Sequence, residues 1–222
     1  MSLIGVRVLD FTRVLAGPLA TMILGDLGAE VIKIERLVAG DDSRSWGPPF
    51  DDRGESAYFL SCNRNKLSVS ADLNEPSDVR LLGELASGAD VIVDNFLPGT
   101  LERYGLDPAL LLEAHPNLIW CTITGFGPDN ARLGYDYVVQ AESGWMSITG
   151  EVGRAPMKVG VALADVIAGK DAAIAILAAL AGKSRGSSVD RRVFVSLYHS
   201  AVGALVNVAQ NALVSGVAPR RW

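Results

Sequence analysis

The length, composition and charge of the chain favour one sizeable domain and exclude several classes of partner. The chain has 222 residues, of which 49% are hydrophobic and 7% aromatic, enough to bury a substantial core. Its formal net charge of −5 argues against a general binder of nucleic acid or of anionic membranes. No basic segment followed by an apolar stretch opens the chain, and the apolar run from Ala172 is too short to span a bilayer. We therefore expect a cytoplasmic protein with no membrane or nucleic-acid partner.

Cysteine and histidine usage points away from disulfides and metals. Cys62 and Cys121 are the two cysteines, and they lie far apart with no metal-like spacing. His115 and His199 are the two histidines, too few for a histidine-based metal site. We expect reduced thiols and no metal centre.

The first part of the chain predicts a β–α–β unit. Strands are predicted over residues 6–11 and 29–35, where β-branched residues dominate. A helix with Pro18 in its first turn connects them, and Gly28 stops that helix. A short helical crossover between two buried strands implies that the strands are parallel.

The rest of the chain continues to alternate strands and helices. Further strands are predicted at residues 67–70, 89–94, 118–123 and 193–195. Further helices are predicted at residues 76–87, 106–114, 134–144, 172–182 and 197–214, and a short one carries Glu102 and Arg103. Residues 36–54 read as a long polar loop, a feature that is often functional in compact domains. The alternation predicts an α/β fold, with a Rossmann-like, open, mostly parallel sheet and helices on both faces.

Asp165 is the most unusual carboxylate in the chain. It precedes the Ala-rich run 172–181, which favours a helix that is apolar on nearly all sides and therefore buried. A carboxylate among apolar residues costs free energy to desolvate unless it is paired. The position is also typical of a helix N-cap, whose side chain accepts hydrogen bonds from the first free N–H groups. From position alone, the cap is the simpler explanation.

Arginines after the predicted strands indicate an anionic ligand. The turn after the first strand has one glycine instead of G-x-G-x-x-G, and no Walker A sequence occurs, which argues against nicotinamide dehydrogenases and P-loop enzymes. Arg13, Arg36 and Arg103 follow three strands, at the edge where open α/β sheets bind ligands. Guanidinium groups pair bidentately with phosphate oxygens. The alternative is that each one is an ordinary surface arginine.

The candidate nucleophiles are carboxylates. No serine lies in a G-x-S-x-G sequence, and neither histidine has a clear serine or cysteine partner. We expect His115 to cap a helix C-terminus and His199 to be structural. Asp136 and Asp165 remain, and a carboxylate can attack an already activated acyl group, such as a thioester, to form a mixed anhydride. An ordinary aspartate is ionised at pH 7 and needs no general base.

Several blocks in this order resemble class III CoA-transferases, the CaiB/BaiF group. The blocks are residues 5–18, 27–35, 63–66, 94–99, 134–136 and the segment around Asp165, and the likeness covers essentially the whole chain. The resemblance implies an enzyme that moves CoA from an acyl-CoA donor to a small carboxylic acid acceptor. Coenzyme A and acyl-CoA would be substrates, with no tightly bound cofactor and no metal.

The resemblance also implies roles for individual residues. Asp165 matches the nucleophile that forms an acyl-aspartyl anhydride and then an aspartyl-CoA thioester. Leu15 and Ala16 match the loop beside the thioester, and Tyr135 and Asp136 match neighbours of the nucleophile. Asn74 stands where some relatives have a lysine for a CoA phosphate. The positions that match the lining of the nucleotide and pantetheine parts of CoA are Arg36, Ala71, Asp72, Leu73, Asn74, Asn95, Phe96, Leu97 and Arg103.

Two other hypotheses stay open beside CoA transfer. The same family contains α-methylacyl-CoA racemases, which use a His–Asp pair, but Tyr135 stands here where that histidine falls. Members of the family are about twice as long and form interlocked homodimers. The resemblance therefore implies that residues 1–190 are the N-terminal part of a CoA-binding large domain, and that residues 191–222 form a strand and helix leading towards a small domain that is absent. The third hypothesis is a non-catalytic fragment.

Overall fold

The computed structural model describes residues 2–188 and 190–221, and it confirms the α/β fold. The strands are β1 (Arg7–Asp10), β2 (Glu30–Glu35), β3 (Lys66–Ser70), β4 (Val91–Asp94), β5 (Ile119–Thr124) and β6 (Arg192–Ser196). They form one sheet in the order β3-β2-β1-β4-β5-β6, and every neighbouring pair is parallel. This is the strand order of a doubly wound Rossmann-like sheet, with its topological switch point between β1 and β4.

Helices cover both faces of the sheet. They are α1 (Ala16–Asp26), α2 (Ala57–Cys62), α3 (Pro76–Ser87), α4 (Thr100–Arg103), α5 (Pro108–Ala114), α6 (Asp136–Glu142), α7 (Trp145–Ile148), α8 (Leu163–Ser184), α9 (Leu197–Gly203) and α10 (Val206–Ser215). Buried side chains of α1, α6, α8 and α9 join one hydrophobic core, and those of α3, α4 and α5 join a second core on the opposite face. Within the described part of the chain, no helix is both long and apolar enough to cross a membrane.

Alternation along the central strands fills both cores at once. In β4, Val91 and Val93 join the core on the α8 side, whereas Ile92 joins the other. In β5, Cys121 joins the core on the α8 side and Trp120 joins the core on the opposite face. Because both faces are buried, these strands are continuous apolar runs in the sequence rather than alternating ones.

The prediction for the segment around Asp165 was wrong in three respects. α8 begins at Leu163, well before Ala172, so Asp165 lies inside the first turn and is not the N-cap. The N-cap residue is Ala162, which provides no side-chain hydrogen bond. The helix is also not buried on all sides, since Ile174 is 63% exposed on its outer face. Alanine tolerates either environment, so an Ala-rich run does not reveal which face is exposed.

Other helix predictions need correction near the end of the described chain and around the long loop. The single helix expected at residues 197–214 is two helices, α9 and α10, because Val206 has φ of +40°, a left-handed backbone that a continuous helix excludes. The segment after residue 190 is therefore a strand and two helices. The short helices α2 and α7 were not predicted, and the loop at residues 36–54 contains a 3₁₀ turn, Asp42–Ser45.

A close crossing of α8 over α1 sets the position of the first half of α8. A Cβ atom on Gly169 would lie 2.5 Å from the carbonyl oxygen of Ala16. That oxygen belongs to the first turn of α1 and cannot withdraw without moving the loop after β1. Glycine at residue 169 therefore lets the backbones of the two helices touch beside the switch point.

We expect Gly169→Ala to lower the free energy of unfolding by about 1–3 kcal/mol, because the added methyl group forces α8 away from α1. Gly83→Ala on α3 is the matched control, since a Cβ there meets nothing within 4 Å. Alanine in that open helical position stabilises by up to about 1 kcal/mol. Urea denaturation of both variants measures the difference, and equal effects at the two sites would contradict the crossing.

Candidate active site

A cleft of about 1000 Å³ opens at the carboxyl ends of the strands, beside the switch point between β1 and β4. This is the place where open α/β sheets bind ligands. Every site residue inferred from the sequence except Arg103 lines it: Leu15, Ala16, Arg36, Ala71, Asp72, Leu73, Asn74, Asn95, Phe96, Leu97, Tyr135, Asp136 and Asp165. The fold thus brings segments far apart in the chain to one surface.

Arg103 lies outside the lining of the cleft. Its guanidinium donates to Thr100 Oγ1 at 3.3 Å on its own short helix, whereas Thr100 and Tyr104 themselves line the cleft. The match of Arg103 to a CoA-binding position stays a prediction. The guanidinium groups that do line the cleft are those of Arg13, Arg36 and Arg132.

Two of these cations share one carboxylate. Arg13 lies 3.7 Å from Asp42, and Arg36 donates a hydrogen bond to the same Asp42 side chain. The Arg13 guanidinium also stacks over the ring of Phe96, 5.0 Å from its centroid. Asp42 holds both arginines beside the mouth of the cleft, and their remaining donors are available to an anionic ligand.

The side chain of Asp165 faces the cleft from the first turn of α8. Its carboxylate has no hydrogen-bond partner among the described residues. Burial, reinforced by repulsion from Asp136, raises the pKa of Asp165 from 3.8 to about 7. The carboxyl is therefore harder to ionise than that of an ordinary aspartate.

Asp136 performs the capping role that the sequence suggested for Asp165. Its Oδ1 atom accepts hydrogen bonds from the backbone N–H of Ala164 at 2.7 Å and of Asp165 at 3.4 Å. Asp136 is itself the first residue of α6, so a side chain of α6 caps α8. Backbone N–H groups in the first turn of α8 are satisfied in this way, although the methyl side chain of Ala162 cannot accept a hydrogen bond.

The loop after β1 is held in a strained conformation beside the cleft. Val14 has φ of +73°, a left-handed backbone that costs a β-branched residue free energy. Its N–H donates to both carboxylate oxygens of Asp41 at 3.3 Å. Asn95 fixes the preceding residue, Arg13, by accepting from its N–H at 3.0 Å and donating to its carbonyl at 2.8 Å. The cleft-lining backbone of Leu15 is therefore positioned by side chains of two other loops.

Two buried ion pairs lie beneath this loop. Lys33 contacts Asp41 at 2.9 Å and Lys66 contacts Asp10 at 3.0 Å, and all four side chains are at most 2% exposed. Lys33 also donates to the carbonyl of Thr12 at 2.8 Å. Burial alone would raise the pKa of Asp10, but the charges of Lys66 and Lys33 outweigh it and hold that pKa well below its usual range. The two ion pairs tie β1, β2 and β3 to the loop.

Sequence reasoning did not assign these four residues to the site. The sequence did contain one indication of these pairs: Lys33 interrupts the apolar strand at residues 31–34, and a buried lysine needs a partner. Tyr58 of α2 was also missed. Burial and then the nearby charge of Asp165 raise the pKa of Tyr58 to about 12, so its hydroxyl remains a donor. Its ring packs edge-on against the cleft residue Trp46, with centroids 4.9 Å apart.

The histidines and cysteines lie outside the cleft. His115 stands at the C-cap of α5, as the sequence predicted, and His199 lies in α9. Cys62 and Cys121 are free and buried. Across residues 2–188 and 190–221, the His, Cys, Asp and Glu side chains form no group of three or more that could hold a metal.

Comparison with known proteins identifies the family. A model of CoA-transferase family III matches residues 3–222, so the chain belongs to CoA-transferase family III. The chain is 48% identical to a succinyl-CoA:glutarate CoA-transferase of Mus musculus, over 98% of this chain and 50% of that protein. It is 44% identical to a succinate–glutarate CoA-transferase of Agrobacterium fabrum, over 98% of this chain and 56% of that protein.

A solved structure agrees with this assignment. The crystal structure of a CaiB/BaiF family protein from Brucella suis superposes with a TM-score of 0.93 at 43% identity, over 98% of this chain and 59% of that one. The resemblance inferred from the sequence is thus confirmed. The chain spans about half the length of the curated relatives it matches.

We expect Lys66→Met to lower the free energy of unfolding by about 3 kcal/mol or more, because it leaves the buried Asp10 carboxylate without its main cation. Adding Asp10→Asn to that variant should recover part of the loss, since the uncompensated charge is then removed. Lys170→Met, at an exposed position of α8, is the control and should change stability by less than about 0.5 kcal/mol. A Lys66→Met variant as stable as the parent in urea would contradict the ion pair.

The raised pKa of Asp165 predicts how stability depends on pH. A group with a folded-state pKa of about 7 against 3.8 binds its proton more tightly in the folded state. Its contribution to stability therefore falls as pH rises from about 4 to about 7. Asp165→Asn removes this dependence, so the variant should gain about 1–3 kcal/mol relative to the parent across that range. Urea denaturation of both proteins at several pH values measures the gain; a difference that is constant with pH would contradict it.

Proposed function

We propose that this chain forms the CoA-binding part of an enzyme that moves CoA from an acyl-CoA to a carboxylic acid, with Asp165 as the nucleophile. The observation that carries the proposal is the position of Asp165. Its unpartnered, partly buried carboxyl lines the large cleft at the switch point of the sheet. The names of its relatives support the same reaction class.

The proposed reaction proceeds in balanced steps at this carboxylate. An oxygen of Asp165 attacks the thioester carbonyl carbon, the C–S bond breaks, and CoA leaves as a thiolate while a mixed anhydride forms. The thiolate then attacks the aspartyl carbonyl, which releases the donor's carboxylate and leaves an aspartyl-CoA thioester. The acceptor carboxylate attacks that thioester to form a second anhydride. The released CoA thiolate finally takes the acceptor acyl group and regenerates Asp165.

The surroundings of Asp165 favour these steps. The ionised carboxylate is destabilised by burial and by Asp136, as the raised pKa of Asp165 records. The anhydride and the thioester are both neutral, so their formation removes one of two neighbouring negative charges. The repulsion that opposes ionisation of Asp165 therefore promotes its acylation.

The rest of the cleft suits the parts of the substrate. Arg13 and Arg36 offer guanidinium donors to the phosphates of CoA, while Phe96 and Leu97 provide an apolar wall for its pantetheine arm. The named relatives pair succinyl groups with glutarate, so short dicarboxylic acids are the first donors and acceptors to test.

The two competing hypotheses make different predictions. A racemase needs a base on each side of the substrate, and Tyr135, which is 56% exposed and stacked on Tyr137, stands where the racemase histidine falls. Racemase activity would incorporate deuterium at the α-carbon without any acceptor acid, and our proposal predicts none. A non-catalytic fragment would bind CoA without forming product.

We also propose a cytoplasmic homodimer, interlocked as the family resemblance implies. In this proposal, residues 1–190 belong to a large CoA-binding domain, and the segment after them leads towards a second domain. None of the residues of α10 is buried, and Leu213 and Val214 are more than three-quarters exposed. Such an apolar surface is typical of a segment that further protein covers.

We expect Asp165→Ala in the intact protein to reduce transfer of CoA from succinyl-CoA to glutarate by about a thousandfold or more, since the covalent intermediate cannot form. Asp171→Ala, further along α8, is the matched control and should keep turnover near that of the parent. Mass spectrometry of the parent mixed with succinyl-CoA should find CoA attached to the peptide that contains Asp165. Full turnover by the Asp165→Ala variant would rule out the mechanism.

A further inference from the structure

Gln140 is a buried polar side chain next to the proposed nucleophile for which no role has been assigned above. It is fully buried although glutamine is mostly exposed in proteins. Burying an amide costs free energy unless its donors and acceptor are used. Gln140 lies four residues after Asp136 on α6, so the two side chains share one face of that helix.

Both the NH₂ group and the oxygen of the Gln140 amide form hydrogen bonds. Its Nε2 group donates to Asp136 Oδ2 at 2.6 Å and to the carbonyl of Val161 at 3.3 Å. Its Oε1 atom accepts from the N–H of Val159 at 2.8 Å. The neighbours dictate this orientation, because a carboxylate requires the NH₂ end and a backbone N–H requires the oxygen.

These bonds form a chain that ends at the nucleophile. Gln140 holds one oxygen of Asp136, and the other oxygen of Asp136 accepts from the first turn of α8, at Ala164 and Asp165. The same amide fixes the loop at residues 159–161 that leads into α8. The position of Asp165 thus depends on one side chain that does not line the cleft.

We propose that Gln140 is a positioning residue, which fixes the Asp136 carboxylate against the first turn of α8 and so holds Asp165 in place in the cleft. The proposal extends the function proposed above and rests on it for its catalytic consequence. Glutamine is the suitable residue because it supplies two donors and one acceptor on a side chain of this length. Leucine has no donor or acceptor, and an ionised glutamate would place an oxygen, which cannot donate, against the Asp136 carboxylate.

The elements around Asp165 carry several titratable or charged groups. Asp136 of α6 and Tyr58 of α2 are the titratable groups that face it. α9 carries His199, and α1 carries an acidic residue only at its far end. Across the cleft lie the cations Arg13, Arg36 and Arg132. Among these groups, Asp136 is the one that Gln140 contacts.

The first test is Gln140→Leu, which removes all three hydrogen bonds at nearly constant volume. Asp136 loses the donor that holds it against the first turn of α8, so its carboxylate can move away from Asp165 and repel it less. We expect the titration midpoint of the Asp165 carboxyl to fall by about one pH unit. Carbon-13 NMR of aspartate-labelled protein measures it, with the Asp165→Asn variant assigning the resonance. Misplacement should also reduce kcat by about tenfold to a hundredfold.

The second test is Gln140→Glu, read against pH. Two carboxylates 2.6 Å apart require a shared proton, and a protonated Glu donates to Asp136 as the amide does. The kcat of Gln140→Glu should therefore equal that of the parent at low pH and fall below it as pH rises. Glu113→Leu, at an exposed position of α5, is the control and should match the parent in both measurements.

The outcomes separate this proposal from the proposed function. A folded Gln140→Leu variant with the parent's Asp165 midpoint would overturn the positioning role. If Gln140→Leu does not fold, the positioning role is overturned instead by a Gln140→Glu variant whose kcat, relative to that of the parent, does not change with pH. A shifted midpoint in a protein that transfers no CoA would support the positioning role and refute only the function, because the NMR titration needs no substrate.

Discussion

The cleft depends on charges buried beneath the loop that follows β1. Lys33 and Lys66 replace water as the partners of Asp41 and Asp10, and they satisfy backbone carbonyls of the same region. Buried ion pairs add little to stability compared with apolar residues of similar size, but they demand one geometry. In this fold, that geometry holds Val14 in its left-handed conformation and presents Leu15 to the cleft.

A second set of polar contacts is built on helix ends instead of strands. Asp136 begins one helix and caps another, so its carboxylate has a structural and an electrostatic effect at once. The same negative charge that satisfies the first turn of α8 makes ionisation of Asp165 unfavourable. Structural support of α8 and the raised pKa of Asp165 thus come from one side chain, and a change in one alters the other.

The sequence predicted the sheet and most of the cleft because those depend on local patterns. Alternating apolar strands with short helical crossovers sufficed for a parallel sheet, and residues after strands then converged at its carboxyl edge. The exchange of capping roles between Asp165 and Asp136 could not be read locally, since the hydrogen bond to Ala164 joins residues 28 positions apart. α2 did carry a local signal, the N-cap Ser56, which accepts from Tyr58 N–H at 3.1 Å. It was obscured by the polar residues that precede it.

The shared carboxylate of Asp42 has a consequence for how an anionic ligand enters. Arg13 and Arg36 already face a negative charge from within the chain, so a phosphate that binds them replaces one anion with another. The free energy of binding then reflects an exchange of partners rather than the neutralisation of two free cations. Such an exchange releases fewer small counterions, so ligand affinity at this site depends less steeply on ionic strength than the count of arginines suggests.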